Sequence, residues 1–138
     1  MPSASRSKTM VLVVEDDAVT RELIAQVLST GGFDVIATSM GERALLTLCQ
    51  YGHEIDWLMS KLSLPGLING WILADEYHQH HPERPVLLMA QDISTTQMAS
   101  VKSVHVPSAS PMRALEMLKT LREAEPDHVA PFQTAQAA

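Results

Sequence analysis

Three acids in a row, Glu15-Asp16-Asp17, follow directly on the apolar run Met10-Val11-Leu12-Val13-Val14, and Lys61 follows a second, largely apolar run from Trp57 to Ser60. Adjacent carboxylates repel one another unless a cation lies between them. A divalent metal is one such cation, since hard ions take carboxylate oxygens. A lysine ammonium on a neighbouring strand is another, and Lys61 is placed to supply it. The competing reading is that Lys61 extends its ammonium into solvent while the acids merely cap the helix that follows them. Nothing nearby completes a catalytic set. No strand is followed by a nucleophile with a base and an orienting group, and Gly31-Gly32 comes after a helix, where it serves as a cap rather than a phosphate loop.

Other reactive side chains have plainer explanations. His78, His80 and His81 invite a metal reading, because His78 and His81 can share a helix face. No Cys, Asp or Glu completes a tetrahedral set close by in sequence, and cationic histidine is favoured at a helix end without any ligand. Cys49 is the only cysteine, which excludes an internal disulfide, and its apolar helical setting predicts a buried, inert thiol. Ser60 and Ser63 flank Lys61 but have no evident base to activate them. Trp57 and Trp71 are expected in the core, and an exposed Trp71 would be an interface anchor.

The elements that must position these groups alternate regularly. Met10 to Val14 has the unbroken apolar character of a strand buried on both faces. From Ala18 to Thr30, Val19, Leu23, Ile24, Val27 and Leu28 form a helical stripe, with Asp17 as cap and Gly31-Gly32 as stop. Phe33 to Thr38 is strand-like; Ser39 and Glu42 have the spacing of a capping box for the next helix through Leu45, Leu48 and Cys49. Trp57 to Ser60 is the third strand, Gly70 to His81 a helix, and Val86 to Met89 a strand after Pro82 and Pro85. A fifth strand lies near Val104, and Ser110-Pro111 opens a last helix through Leu115, Leu118 and Leu121. Strands joined by right-handed helical crossovers make a doubly wound five-stranded parallel sheet, an α/β fold. The dozen polar residues between Ala90 and Val104 leave the fourth helix short or missing.

Composition narrows the class of function. The chain has 138 residues, 46% of them hydrophobic, which suits one domain with a real core. Residues 1–9 form a disordered tail in this reading, 10–124 the domain, and 125–138 a mobile C-terminal tail. A net charge of −6 argues against nucleic-acid or anionic-membrane partners, which call for a basic face. No apolar stretch has signal-peptide or membrane-span length, so a cytoplasmic location is expected.

In an open parallel sheet, ligand chemistry gathers beyond the carboxyl ends of the strands. Those ends carry Glu15-Asp16-Asp17, Lys61, Ala90 and Val106-Pro107. The segment Val11-Leu12-Val13-Val14-Glu15-Asp16-Asp17 resembles the opening of receiver domains of two-component response regulators. The segment from Asp56 to Gly66, ending Leu64-Pro65-Gly66, resembles their phosphorylation segment, and Gly70-Trp71 follows at the family's spacing. The resemblance spans about Met10 to Arg122 and implies the flavodoxin-like receiver topology.

The resemblance also implies a set of site residues. An acidic pair holds Mg²⁺, an aspartate four residues before the Leu-Pro-Gly proline accepts phosphate, a Thr or Ser on strand four binds the phosphoryl group, and a strand-five lysine pairs with it. Glu15 and Asp16 match the acidic pair. Lys61 stands at the phosphoacceptor position, Ala90 at the Thr/Ser position, and Pro107 or Val106 at the lysine position. Phosphoryl transfer needs an oxygen nucleophile and a cation to neutralise charge. Lys61 provides no carboxylate, Ala90 no hydroxyl, and neither Pro107 nor Val106 an amine. No metal, no other cofactor and no enzyme activity is therefore expected.

The expectation is a stand-alone pseudo-receiver: an atypical response regulator acting in bacterial signal transduction as a phosphorylation-independent protein-interaction module. Its partner would be a sensor histidine kinase, another regulator, or a second copy of the chain. Met112, Ala114, Leu115 and Met117 of the last helix are candidates for an interface. Two rivals stand beside this reading. One is a phosphorelay receiver that accepts phosphate through a non-standard residue; the other is an unrelated enzyme on the same fold.

Overall fold

Val11 to Val14 have no exposed surface, and a strand segment so fully buried needs cover on both sides. In the computed structural model, which describes residues 8–90, 102–107 and 110–124, that cover is provided by helices on each face of one sheet. The strands are β1 (Thr9–Val14), β2 (Phe33–Thr38), β3 (Trp57–Lys61), β4 (Val86–Ala90) and β5 (Ser103–Pro107). The described helices are α1 (Ala18–Thr30), α2 (Gly41–Tyr51), α3 (Gly70–His80) and α4 (Pro111–Ala124), with a 3-10 turn at Gly52–Glu54. All strand pairs are parallel and the order is β2-β1-β3-β4-β5, the doubly wound α/β arrangement expected. Strand order reverses at β1, so the ends of β1 and β3 face a common crevice.

Side-chain alternation along the strands separates two cores. Val11, Val13, Met59, Met89 and Val106 point to the face covered by α1 and α4. Leu12, Val14, Leu58 and Leu88 point to the face covered by α2 and α3. Helix α1 packs on α4, and α2 on α3. The register sets Val14 opposite both Thr38 and Ser60, and Lys61 opposite Met89.

Local chemistry explains most boundaries. Asp17 is extended and accepts from the Thr20 backbone N–H at 2.8 Å, capping α1. The stop at Gly31 is continued by Gly32 at φ +99°, a conformation glycine adopts without strain. Asn69 caps α3 through the Ile72 N–H at 3.0 Å.

Three expectations need correction. The Ser39/Glu42 capping box does not form: α2 begins after Met40, whose side chain makes no capping bond, and Glu42 instead accepts from the Leu67 N–H at 3.0 Å. A carboxylate so employed ties α2 to the β3–α3 loop, where Gly66 at φ +91° leaves no room for a Cβ against it. Cys49 is exposed rather than buried, because the inward stripe of α2 runs through Ala44 and Leu48, and Cys49 lies one position, about 100°, past it. Partial desolvation and the neighbouring Glu76 carboxylate both push its thiol above the ordinary range, which disfavours the thiolate. Ala114 and Leu115 belong to the core, and Met117 packs against it; of the proposed interface residues on α4, Met112 alone faces outward, at 58% exposure. The short or missing fourth helix and both terminal tails fall on residues 91–101, 1–7 and 125–138, outside the described residues, with only Lys8, Thr9 and Lys102 described at their margins.

Candidate functional site

The crevice between β1 and β3 is built from the ends of two strands and the start of one helix. Glu15 continues β1 and its N–H bonds the Thr38 carbonyl of β2 at 3.0 Å, which fixes where the acids emerge. Lys61 is the last residue of β3, not the first beyond it. Its ammonium lies 3.0 Å from Asp16 Oδ1 and 3.7 Å from Glu15 Oε2. Of the two readings of Lys61, the geometry is that of the ion pair, not of a side chain lost to solvent. The Glu15 side chain is 6% exposed, whereas those of Lys61 and Asp16 are 35% and 34% exposed, so the pair is buried at one end and wet at the other.

Each charge changes the titration of its partner. The hydrogen bond from Lys61 holds the Asp16 carboxyl below its ordinary value, and the same bond raises the Lys61 ammonium, in both cases against the cost of partial burial. Both groups are thus charged at neutral pH. Asp17 is turned away to its capping role, with its own carboxyl lowered by the Thr20 backbone and hydroxyl bonds.

A second cation serves the same strand end. Arg21, on the first turn of α1, donates from Nη1 to the Glu15 carbonyl at 2.9 Å and approaches the Asp16 carbonyl at 3.5 Å. Glu15 Oε2 also accepts from the Asp17 N–H at 2.9 Å. Sequence reading overlooked Arg21, although a basic residue one helical turn beyond an acidic strand end, where opposite charges attract, is the available signal.

The other positions of the pocket are apolar or closed. Ala90 ends β4 and pairs with Pro107, the last residue of β5. The Ala90 carbonyl accepts a hydrogen bond of 2.6 Å from His105 Nε2, so Nε2 is the ring nitrogen that donates, since a carbonyl only accepts. His105 is a further residue that the sequence did not single out. Val106 pairs with Met89 and is 1% exposed within the core. Ser60 is fully buried and donates to the Lys61 carbonyl at 2.8 Å, leaving its hydroxyl occupied. Ser63 is exposed and stands apart from the core.

The magnesium ion implied by the resemblance requires several oxygen ligands in near-octahedral array. The residues present do not fit it. A cationic nitrogen stands between the two carboxylates, and an ammonium both fails to ligate and repels a metal.

Helix α3 is set directly on this strand end. The Gly70 N–H bonds the Leu62 carbonyl at 2.8 Å, and a Cβ at Gly70 would lie 2.8 Å from the Lys61 carbonyl. Only glycine permits that approach.

The histidines occupy the opposite, amino edge of the sheet. His78 Nε2 donates to the Arg84 carbonyl and His81 Nε2 to the Gly52 carbonyl, both at 2.9 Å, while His80 contacts Glu76 at 3.3 Å. They tie α3 to its neighbours rather than converge on a common point. Trp57 is buried beneath Arg84, whose guanidinium lies 5.5 Å from its ring, and Trp71 packs partly buried on the α2/α3 core.

Comparison with known proteins agrees with this architecture. The profile of the response regulator receiver domain matches residues 11–108. Among curated relatives, response regulator protein FleR of Pseudomonas aeruginosa is 34% identical over 79 residues, 57% of this chain and 16% of that protein. The two-component response regulator-like protein APRR9 of Arabidopsis thaliana is 34% identical over 86 residues, 61% of this chain and 18% of that protein. The chain thus spans less than a fifth of the length of these relatives. Among solved structures, a response regulator receiver protein from Sinorhizobium medicae superposes with a TM-score of 0.75 at 20% identity, covering 86% of this chain and 97% of that one. Chemotaxis protein CheY4 of Vibrio cholerae superposes with a TM-score of 0.73 at 18% identity, covering 83% and 99%. No described helix is long and apolar enough to cross a membrane. With five parallel strands in receiver order and a family match running from β1 to just beyond β5, this chain belongs to the response regulator receiver domain family.

Proposed function

We propose that the chain is a pseudo-receiver: a cytoplasmic module of two-component signalling that works through protein contacts without being phosphorylated. The observation that carries this reading is the position of Lys61, whose ammonium lies 3.0 Å from Asp16 at the strand end where the family resemblance calls for a phosphoacceptor aspartate. A protonated amine hydrogen-bonded to a carboxylate has no free lone pair to attack phosphorus. Ala90 and Val106 or Pro107 take the positions of the hydroxyl and the amine that would hold the transferred group. Ser60, the nearest alternative oxygen nucleophile along β3, is buried and hydrogen-bonded, which weighs against phosphate entering through a neighbour.

A module of this kind needs a surface, and α1 offers one. Val19 and Leu23 are 69% and 49% exposed and lie one turn apart, on one stripe of that helix. Between α1 and α4 runs a groove of about 480 Å³ that includes Val27, Met112 and Lys119. A sensor histidine kinase, another regulator or a second copy of the chain would meet the protein there.

The test is incubation with acetyl phosphate or a phosphorylated kinase, followed by intact-mass measurement. The expected spectrum is unchanged. A stable adduct of about 80 Da, the mass of one phosphoryl group carrying about two negative charges, would establish instead a phosphorelay receiver with a non-standard acceptor.

A further inference from the structure

At the end of β1, one carboxylate oxygen each of Asp16 and Glu15 and the backbone carbonyls of both residues meet a cation of the chain itself. Asp16 Oδ1 and Glu15 Oε2 meet the Lys61 ammonium at 3.0 and 3.7 Å. The carbonyls of Glu15 and Asp16 meet the Arg21 guanidinium at 2.9 and 3.5 Å. Glu15 Oε2 carries the Asp17 N–H besides. These are the kinds of oxygen, carboxylate and carbonyl, that a hard divalent ion selects.

We infer that Lys61 is a built-in counter-cation that closes this pocket to divalent metal, with Arg21 holding the strand end in place, so that the pocket's shape does not depend on magnesium. The inference rests on reading the crevice as a receiver pocket, but concerns metal rather than phosphate. Two forces act in the same direction. Each cation is covalently part of the chain, so its local concentration does not fall when the medium is depleted of salt. An incoming ion of charge two would also have to displace Lys61 while remaining close to it, and like charges a few ångströms apart disfavour each other strongly. The two cations differ in role. Lys61 neutralises the carboxylates, whereas Arg21 holds backbone carbonyls and fixes the turn from β1 into α1. Lys61 is therefore the residue on which metal exclusion depends, and Arg21 positions the acids.

Thermal unfolding of the whole chain, with excess MgCl₂ or with EDTA, tests this alongside calorimetric titration with Mg²⁺ and Mn²⁺. The wild type is expected to unfold at the same temperature in both media and to show no saturable binding heat. Lys61→Asp, which replaces the ammonium by a third carboxylate, is expected to bind. At about 100 times the Kd, binding would raise its unfolding temperature by roughly 10 °C. Should Lys61→Asp fail to fold, Lys61→Met serves in its place, with weaker but saturable binding expected. Saturable binding to the wild type overturns the inference. So does an absence of binding in every folded Lys61 variant, since Lys61 would then not be what keeps metal out. Neither outcome bears on the acetyl phosphate experiment, which stands or falls alone.

Discussion

The Lys61 ammonium lies 3.0 Å from Asp16 Oδ1, joining the end of β3 to the end of β1. Partial exposure limits what this pair contributes: with both side chains about one-third exposed, water screens the attraction. Lys61→Met is expected to lower stability by about 0.2–1 kcal/mol at neutral pH. The pH window follows from the two shifts. The Asp16 carboxyl is lowered from 3.8, so its share is present above 3.8 and lost as pH falls through the lower, folded value. The Lys61 ammonium is raised from 10.5, so its share is complete below 10.5 and lost as pH rises through the higher, folded value. Urea denaturation of wild type and variant should show a constant gap between those limits that closes outside them and shrinks in high salt.

Gly70 brings α3 against the backbone of the same lysine. A Cβ there would stand 2.8 Å from the Lys61 carbonyl and 2.9 Å from Leu62 Cα, and backbone atoms of a packed strand end cannot swing aside as a flexible side chain would. Gly70→Ala is expected to cost about 1–3 kcal/mol, although alanine favours helices. An unfolding temperature equal to or above that of the wild type would show that α3 shifts freely.

His81 gives the protein an acid-sensitive point away from the pocket. Burial lowers its pKa below 6.5, with nearby Arg84 and His80 in the same direction, against the Gly52 carbonyl bond and Asp56. A lowered histidine contributes stability above the unfolded value of 6.5 and loses it as pH falls through the folded one. Between about pH 7 and pH 5, where histidines titrate, the wild type should lose more stability than His81→Asn. Parallel pH profiles would contradict the prediction, and the ring's own titration by NMR should fall below 6.5.

Helix α4 separates packing from surface. Leu118 is fully buried and Met112 is 58% exposed. Leu118→Ala is expected to cost about 2–5 kcal/mol, and Met112→Ser to stay within about 0.5 kcal/mol. Chemical denaturation measures both. A partner that uses the α1/α4 groove should lose affinity with Met112→Ser, which leaves the fold intact.

Much of the architecture was legible in the chain because strands and helices carry different periods. The unbroken run from Met10 to Val14 announced a strand covered on both faces, and Asp17 followed by a helical stripe announced the cap that the structure shows. The residues at the strand ends were legible for the same reason: once the strands are placed, Glu15, Asp16, Lys61, Ala90 and Val106-Pro107 come to the carboxyl edge by topology alone. Local motifs were less dependable. Ser39 and Glu42 had the spacing of a capping box, but Glu42 found the Leu67 N–H, a donor 25 residues away in the chain that no local pattern reveals. Cys49 sat among apolar residues yet lies just off the inward stripe, because a helix turns about 100° per residue and neighbours in sequence face different ways.

Sequence by itself determined that acids and a lysine would gather at the carboxyl end of a parallel sheet, since strand–helix alternation follows from hydrophobic pattern and crossover handedness, while the strand order was implied by the resemblance to receiver domains. Tertiary structure decided how they meet. The contact distances, the Arg21 guanidinium on the Glu15 and Asp16 carbonyls, and the inward hydrogen bond of Ser60 depend on the β1–β3 register and on how α1 and α3 sit on it. Those follow from packing across the whole domain, where each side chain takes the position its neighbours leave open.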